Sequence, residues 1–229
     1  MIILTDLSEV LIRGLVGLED KIEYAYGYEA AQQYWKRKNA MSEKLEDLLR
    51  GCITEDKFWE DFLSTENWPF GVSEIKALFS KNLAEEIHGT YDLYTNIVKY
   101  PRRINEAQTS KDRINGRPAI WILSDHIAER KLELELLHPE IFNLAAQVTW
   151  SFDEVALKSD PGYFHRFIKR NYFDPEELFF IDNCIDNIHA AAKAKIPHAW
   201  FQNYRQLQYV MRRHGFWFGQ PNQNQLIHS

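Results

Sequence analysis

Three short apolar segments of this chain run directly into polar side chains. Ile2 to Thr5 leads into Asp6, Ala119 to Leu123 into Ser124 and Asp125, and Leu178 to Ile181 into Asp182 and Asn183. Carboxylates, a hydroxyl and an amide at the carboxyl ends of parallel strands stand where an open α/β sheet binds its ligands. One such aspartate alone says little, because aspartate after a strand is often a turn former or a helix cap. The repetition in order along the chain is what points to a site.

The elements that must hold these residues can be read around them. Ala146 to Trp150 is a further buried strand, and Ala199-Trp200-Phe201 after the breaker Ile196-Pro197-His198 is another. Helical patterns at Ala128 to Leu137, Gly162 to Asn171 and Ile188 to Lys195 supply the crossovers that parallel strands require, and Tyr204 to Arg213 reads as a closing helix. The interval from Arg13 to Lys99 has helical periodicity and almost no strand-like run, so it reads as an inserted helical subdomain. Within it Thr54 is a helix N-cap ahead of Phe58-Trp59 and Phe62-Leu63, and Ser73 and Glu74 open a second helix. Tyr100 to Pro118, rich in polar residues, reads as an exposed connection.

Four stretches, in order, resemble the four motifs of the haloacid-dehalogenase-like (HAD) superfamily across almost the whole chain. They are Ile3-Leu4-Thr5-Asp6-Leu7-Ser8-Glu9-Val10-Leu11, Trp121-Ile122-Leu123-Ser124-Asp125, Leu157-Lys158-Ser159-Asp160-Pro161-Gly162, and Phe179-Phe180-Ile181-Asp182-Asn183-Cys184-Ile185-Asp186-Asn187. Gly51 to Trp59 looks like the turn and helix of the family's small helical cap. The resemblance implies an α/β fold: a HAD-like Rossmannoid core with a central parallel sheet flanked by helices, formed by residues 1–13 and 100–229, with an all-helical cap at 14–99.

It also implies roles. Asp6 would be the nucleophile and Lys158 would keep it ionised. Ser124 with Asp125 and Ser8 would bind substrate, and Asp6, the Ser8 carbonyl and Asp182 or Asn183 would hold Mg²⁺, supported by Asp186 and Asn187. Ser8 stands where phosphatases of the family carry a proton-donating aspartate, and Asn183 stands, in the ungapped register, where they carry a magnesium-binding carboxylate. Three activities follow from the likeness: a magnesium-dependent phosphatase of a small phosphorylated metabolite, a catalytically degenerate binding or regulatory protein, and a metal-independent 2-haloacid dehalogenase. The last needs no protonated leaving group, and Asn183 and Asp186 have its spacing.

Composition sets the boundaries. The 229 residues, 45% hydrophobic and 26% charged, suit a globular chain of one α/β domain with an insertion. A net charge of −6 speaks against a nucleic-acid footprint; the short runs Lys36-Arg37-Lys38, Arg102-Arg103 and Arg212-Arg213 read as solvated faces. Cys52 and Cys184, far apart, suggest neither a disulfide nor a cysteine metal site. With no signal-peptide layout and no membrane-length apolar run, the expectation is a soluble, cytoplasmic protein without a membrane partner. His126, two residues after Ser124, is expected to be a helix cap or surface residue, with a substitute acid as the alternative. Tyr24, Tyr26, Tyr28, Tyr34 and Trp35 are expected to form the interior of the inserted helices, or else to meet substrate.

Overall fold

The computed structural model describes residues 1–65, 67–99 and 119–216. The stretch Tyr100 to Pro118, with its Arg102-Arg103 run, lies outside the described residues. Five strands form one parallel sheet: β1 (Ile2–Thr5), β2 (Ala119–Ser124), β3 (Gln147–Trp150), β4 (Leu178–Asp182) and β5 (His198–Trp200). Their spatial order is β3-β2-β1-β4-β5. β1 is therefore central, with Thr5 in register with Ile122 on one side and Ile181 on the other. This places Asp6, Ser124 and Asp182 side by side at one edge, because each is the last residue of its strand or the next one along.

Helices α1 (Leu18–Tyr26), α2 (Tyr28–Ala40), α3 (Ser42–Leu49), α4 (Glu55–Leu63), α5 (Val72–Leu83) and α6 (Thr90–Lys99) lie between β1 and β2 in sequence. Then follow α7 (Lys131–Leu137), α8 (Pro139–Leu144), α9 (Ser151–Glu154), α10 (Tyr163–Asn171), α11 (Ile185–Lys193) and α12 (Tyr204–Arg213). The Thr54 hydroxyl caps α4 by accepting from Lys57 N at 3.2 Å. α5 begins one residue earlier than expected, at Val72: Gly71 precedes it, and Glu74 accepts from Gly71 N at 2.7 Å, so Ser73 lies inside the first turn. The pattern at Ala128 to Leu137 resolves into a 3₁₀ turn (Ala128–Arg130) followed by α7.

The sheet is covered on both faces, which is why β4 is apolar from Leu178 to Ile181 and is buried at every residue, Asp182 included. Leu4, Leu123 and Phe180 share one cluster with Tyr163, Phe164 and Phe167 of α10 and Ile188 and Ala191 of α11. Ile3, Ile122 and Phe179 belong to the other, with Leu93, Tyr94 and Ile97 of α6 and Leu207 and Met211 of α12. Adjacent residues of β1 thus serve opposite faces, as strand geometry demands. The same second cluster continues into α1–α5, where the rings of Tyr34, Phe58, Trp59, Phe62, Trp68 and Phe70 pack with neighbouring centroids 5.0–6.0 Å apart. Of the expected aromatic interior only Tyr34 is fully buried, with Tyr26 against Phe70; Tyr24, Tyr28 and Trp35 face outward, on the polar side of their helices. No helix among the described residues is long and apolar enough to cross a membrane.

Candidate active site

Asp6 directly follows β1, and its backbone is fixed from both sides. Its N–H donates to the Ile181 carbonyl at 2.8 Å, and its own carbonyl accepts from the Thr5 hydroxyl at 2.9 Å. With its hydrogen so used, Thr5 Oγ1 accepts from the Tyr94 hydroxyl of α6, 2.8 Å away. The Asp6 side chain faces Lys158, whose ammonium lies 2.7 Å from Asp6 Oδ1 and 2.8 Å from Asp182 Oδ2. Lys158 also donates to the Leu123 carbonyl at 3.0 Å, which uses all three of its N–H bonds. It is 1% exposed.

Lys158 is delivered by the loop before α10, and Asp125 holds that loop by accepting from Lys158 N at 3.3 Å. Asp160 closes it by accepting from Leu157 N at 2.8 Å and ties it to the inserted helices through Arg50, whose Nη2 is 2.7 Å from Asp160 Oδ1. Asp182 is fully buried. Besides Lys158 it accepts from Cys184 N at 2.7 Å and from Asn187 Nδ2 at 3.0 Å, so it braces both the lysine and the start of α11. Asn183 is half-buried beside it, and its carbonyl accepts from Trp200 Nε1 at 2.9 Å.

The electrostatics are unbalanced. Asp6, Asp125 and Asp182 all act on a single cation, Lys158. Burial, opposed by Lys158 but aided by Asp182, pushes the Asp6 carboxyl up to about 8. Burial likewise raises Asp125 to about 6, again against Lys158 and with Asp182. Lys158 is held well above its usual range by the carboxylates around it, despite its burial. Ser124, 2% exposed, presents a buried hydroxyl with no hydrogen-bond partner among the described residues.

Six sequence-nominated residues are therefore gathered at one sheet edge: Asp6, Lys158, Ser124, Asp125, Asp182 and Asn187. Asp186 is not among them. It is exposed and lines an open groove of about 520 Å³ between α10 and α11, with His165 and His189. Ser8 is half-buried, and its side chain lies against Gly14, where an added Cβ would come within 2.8 Å of Ser8 Cβ.

A search of solved structures supplies relatives of this architecture. A HAD family enzyme from Bacteroides thetaiotaomicron superposes with a TM-score of 0.65 at 15% identity, over 92% of this chain and 98% of that one. The same enzyme has been crystallised with magnesium and inorganic phosphate, and that complex matches with a TM-score of 0.63 at 15% identity over the same shares. L-2-haloacid dehalogenase from Xanthobacter autotrophicus, with chloropropionic acid covalently bound, matches with a TM-score of 0.60 at 12% identity, over 95% of this chain and 85% of that one. The chain has the HAD-like fold. No family model matches the sequence, and no curated protein does either.

Within this HAD-like frame several residues that hold the site are not legible as motifs. Glu9 adopts a left-handed conformation (φ 59°), and its Oε1 accepts from Gly14 N at 2.8 Å and Gly17 N at 3.2 Å, so one carboxylate folds the loop after Asp6. His126 is 3% exposed, packed between Phe79 and Trp150, and its Nδ1 accepts from Ile127 N at 2.8 Å. It is not a surface residue, and burial pushes its pKa down to about 4, which favours the neutral ring. The signal for it was the apolar sequence on both sides of Ser124-Asp125-His126.

Proposed function

We propose that this protein is a magnesium-dependent phosphohydrolase acting on a small phosphorylated metabolite in the cytoplasm. The observation that carries the reading is the placement of Asp6 against Lys158, beside the unpartnered Ser124 hydroxyl. A carboxylate nucleophile, a fixed cation and a free donor together suit a tetrahedral anion. The magnesium and phosphate complex of the B. thetaiotaomicron enzyme supports the same chemistry. Cys52 and Cys184, both free and exposed, suit a reducing compartment.

The residues fit a magnesium ion. Three carboxylates against one ammonium leave uncompensated negative charge, which a divalent cation would offset. Asp182 is engaged by Lys158, Cys184 and Asn187. Asp6, the Ser8 carbonyl and either Asp182 or the Asn183 amide oxygen would be the donors, with the substrate phosphate completing the set. Magnesium accepts such a set, since it commonly takes one or two carboxylates together with phosphate oxygens and water. When bound, the ion would neutralise charge on the transferring phosphoryl group and favour the ionised form of Asp6.

The chain's own residues carry the remaining steps. An Asp6 oxygen attacks phosphorus, the ester P–O bond breaks, and an aspartyl-phosphate forms while the Ser124 hydroxyl holds a phosphoryl oxygen and the Lys158 charge offsets the negative charge beside it. The leaving alkoxide takes its proton from solvent, because Ser8 is too weak an acid near neutral pH. Water then cleaves the acyl phosphate and regenerates Asp6. This scheme suits good leaving groups and slow turnover of simple alkyl phosphates.

The test is phosphate release from a panel of sugar phosphates, nucleotides and an aryl phosphate, with and without magnesium. Metal-dependent turnover that disappears in Asp6→Asn is expected. Activity surviving in that variant, or no turnover with any substrate, would overturn the reading, and metal-free chloride release from 2-chloropropionate would replace it with dehalogenation.

A further inference from the structure

Glu86, His138 and Glu140, none of them part of the Asp6 cluster, each bring one ligand-type atom to a common point, all within 4.8 Å of one another. His138 is 2% exposed and sits at the corner between α7 and α8. Its Nε2 is 2.7 Å from the Leu83 carbonyl. A carbonyl can only accept, so Nε2 carries the proton and, in the neutral ring, Nδ1 is a bare lone pair. That Nδ1 is buried with no hydrogen-bond partner among the described residues, and Glu86 Oε1 stands 3.6 Å from it.

Two lone-pair atoms facing one another repel unless a positive charge lies between them. A metal ion uses the same gap well. Ligand atoms about 2.0–2.1 Å from a tetrahedral zinc ion stand about 3.3 Å from each other. Small rotations of the exposed Glu86 and half-buried Glu140 side chains would close the remaining distance. The Nε2–H bond to a backbone carbonyl is also the outer contact that typically orients a metal-binding histidine.

We propose that Glu86, His138 and Glu140 bind a divalent transition cation of the zinc class, with water completing the coordination. One imidazole and two carboxylates favour such an ion over magnesium, which prefers oxygen alone. The place gives it a purpose. Glu86 pairs with Ile12, and Arg13 N and Ile87 N donate across the same pair of segments to Glu85 and Leu11 carbonyls, each at 2.7 Å. These segments are the entry to and exit from α1–α5, so the cation would staple both to the α7–α8 corner.

The experiment titrates Zn²⁺ alone into the EDTA-treated full chain by calorimetry and follows its melting temperature. The proteins are wild type, Asp6→Asn and the double variant Glu86→Gln/Glu140→Gln. We expect one equivalent that survives Asp6→Asn and binds at least tenfold more weakly to the double variant, with a zinc-dependent rise in melting temperature that only the double variant lacks. Its two changed side chains are not fully buried, so its metal-free melt should match wild type. No saturable uptake by wild type, uptake unchanged in the double variant, or uptake lost in Asp6→Asn would overturn the proposal.

Discussion

At the scale of single residues, the site is a contest between burial and charge. Asp6 must be ionised to attack, yet it sits where burial and Asp182 hold its proton on, with Lys158 as the opposing force. Asp6→Asn should therefore lower phosphate release on the order of 10³-fold or more, as removal of a nucleophile does. Its effect on stability has a definite sign. A carboxyl raised to about 8 in the folded protein loses its proton earlier in the unfolded chain, so metal-free wild type loses stability as pH rises from about 4 to about 8. Urea denaturation should show Asp6→Asn gaining on wild type across that interval and levelling off above it; parallel profiles would contradict this. Ser124→Ala makes a separate case. Its hydroxyl has no partner among the described residues to lose, so folding stability should change by less than about 0.5 kcal/mol. A lost bond to a charged oxygen should raise KM for phosphate esters roughly tenfold, and unchanged KM would remove Ser124 from the anion site.

At the scale of elements, what could be read from the sequence was local and what could not was long-range. The strands announced themselves because burial on both faces requires short apolar runs, and Asp6, Ser124 and Asp182 were legible because each ends such a run. The four motifs carried Lys158 and Asn187 as well. Glu9, Tyr94 and Arg50 escaped, because their roles depend on partners that only the fold brings near: two glycine N–H groups, the Thr5 hydroxyl and Asp160. The junction between α4 and the turn before α7 is of the same kind. Arg130, 6% exposed, donates to Glu55 Oε1 at 2.6 Å and to Ser80 Oγ at 2.8 Å. Glu55 Oε1 also accepts from Trp59 Nε1 at 3.0 Å. Removing one partner of a buried ion pair costs about 3–5 kcal/mol, here because the buried Glu55 would keep only Lys76, 3.9 Å from its other oxygen, as a cation. Arg130→Ala should lose that much in urea denaturation, and Arg130→Ala/Glu55→Gln should recover part of it. Equal losses in both variants would mean that packing of the arginine over Phe79, 5.2 Å from its ring centre, is the larger contribution.

At the scale of the whole molecule, the inserted helices and the sheet share one continuous apolar cluster, and His126 lies within the contacts that join them. Phe79 of α5 flanks its ring on one side and Trp150 of β3 on the other. A neutral imidazole is required there, since burial drives its pKa down to about 4 while the unfolded chain keeps the ordinary value near 6.5. The sign follows from that order. Above about 6.5 the ring is neutral in both states and costs nothing; as pH falls from 6.5 to 4 the unfolded chain takes up a proton that the folded protein refuses. Global stability should therefore drop progressively over that interval, by up to about 3 kcal/mol from this one group, and stop falling on its account below pH 4. His126→Asn keeps an acceptor for Ile127 N but cannot titrate. Its unfolding free energy, measured by urea at half-unit steps of pH, should be lower than wild type at pH 7 because the smaller side chain packs less well, and the gap should narrow towards pH 4 as wild type pays its proton penalty. A gap that stays constant from pH 7 to 4 would show that the buried ring already shares its proton with the folded state.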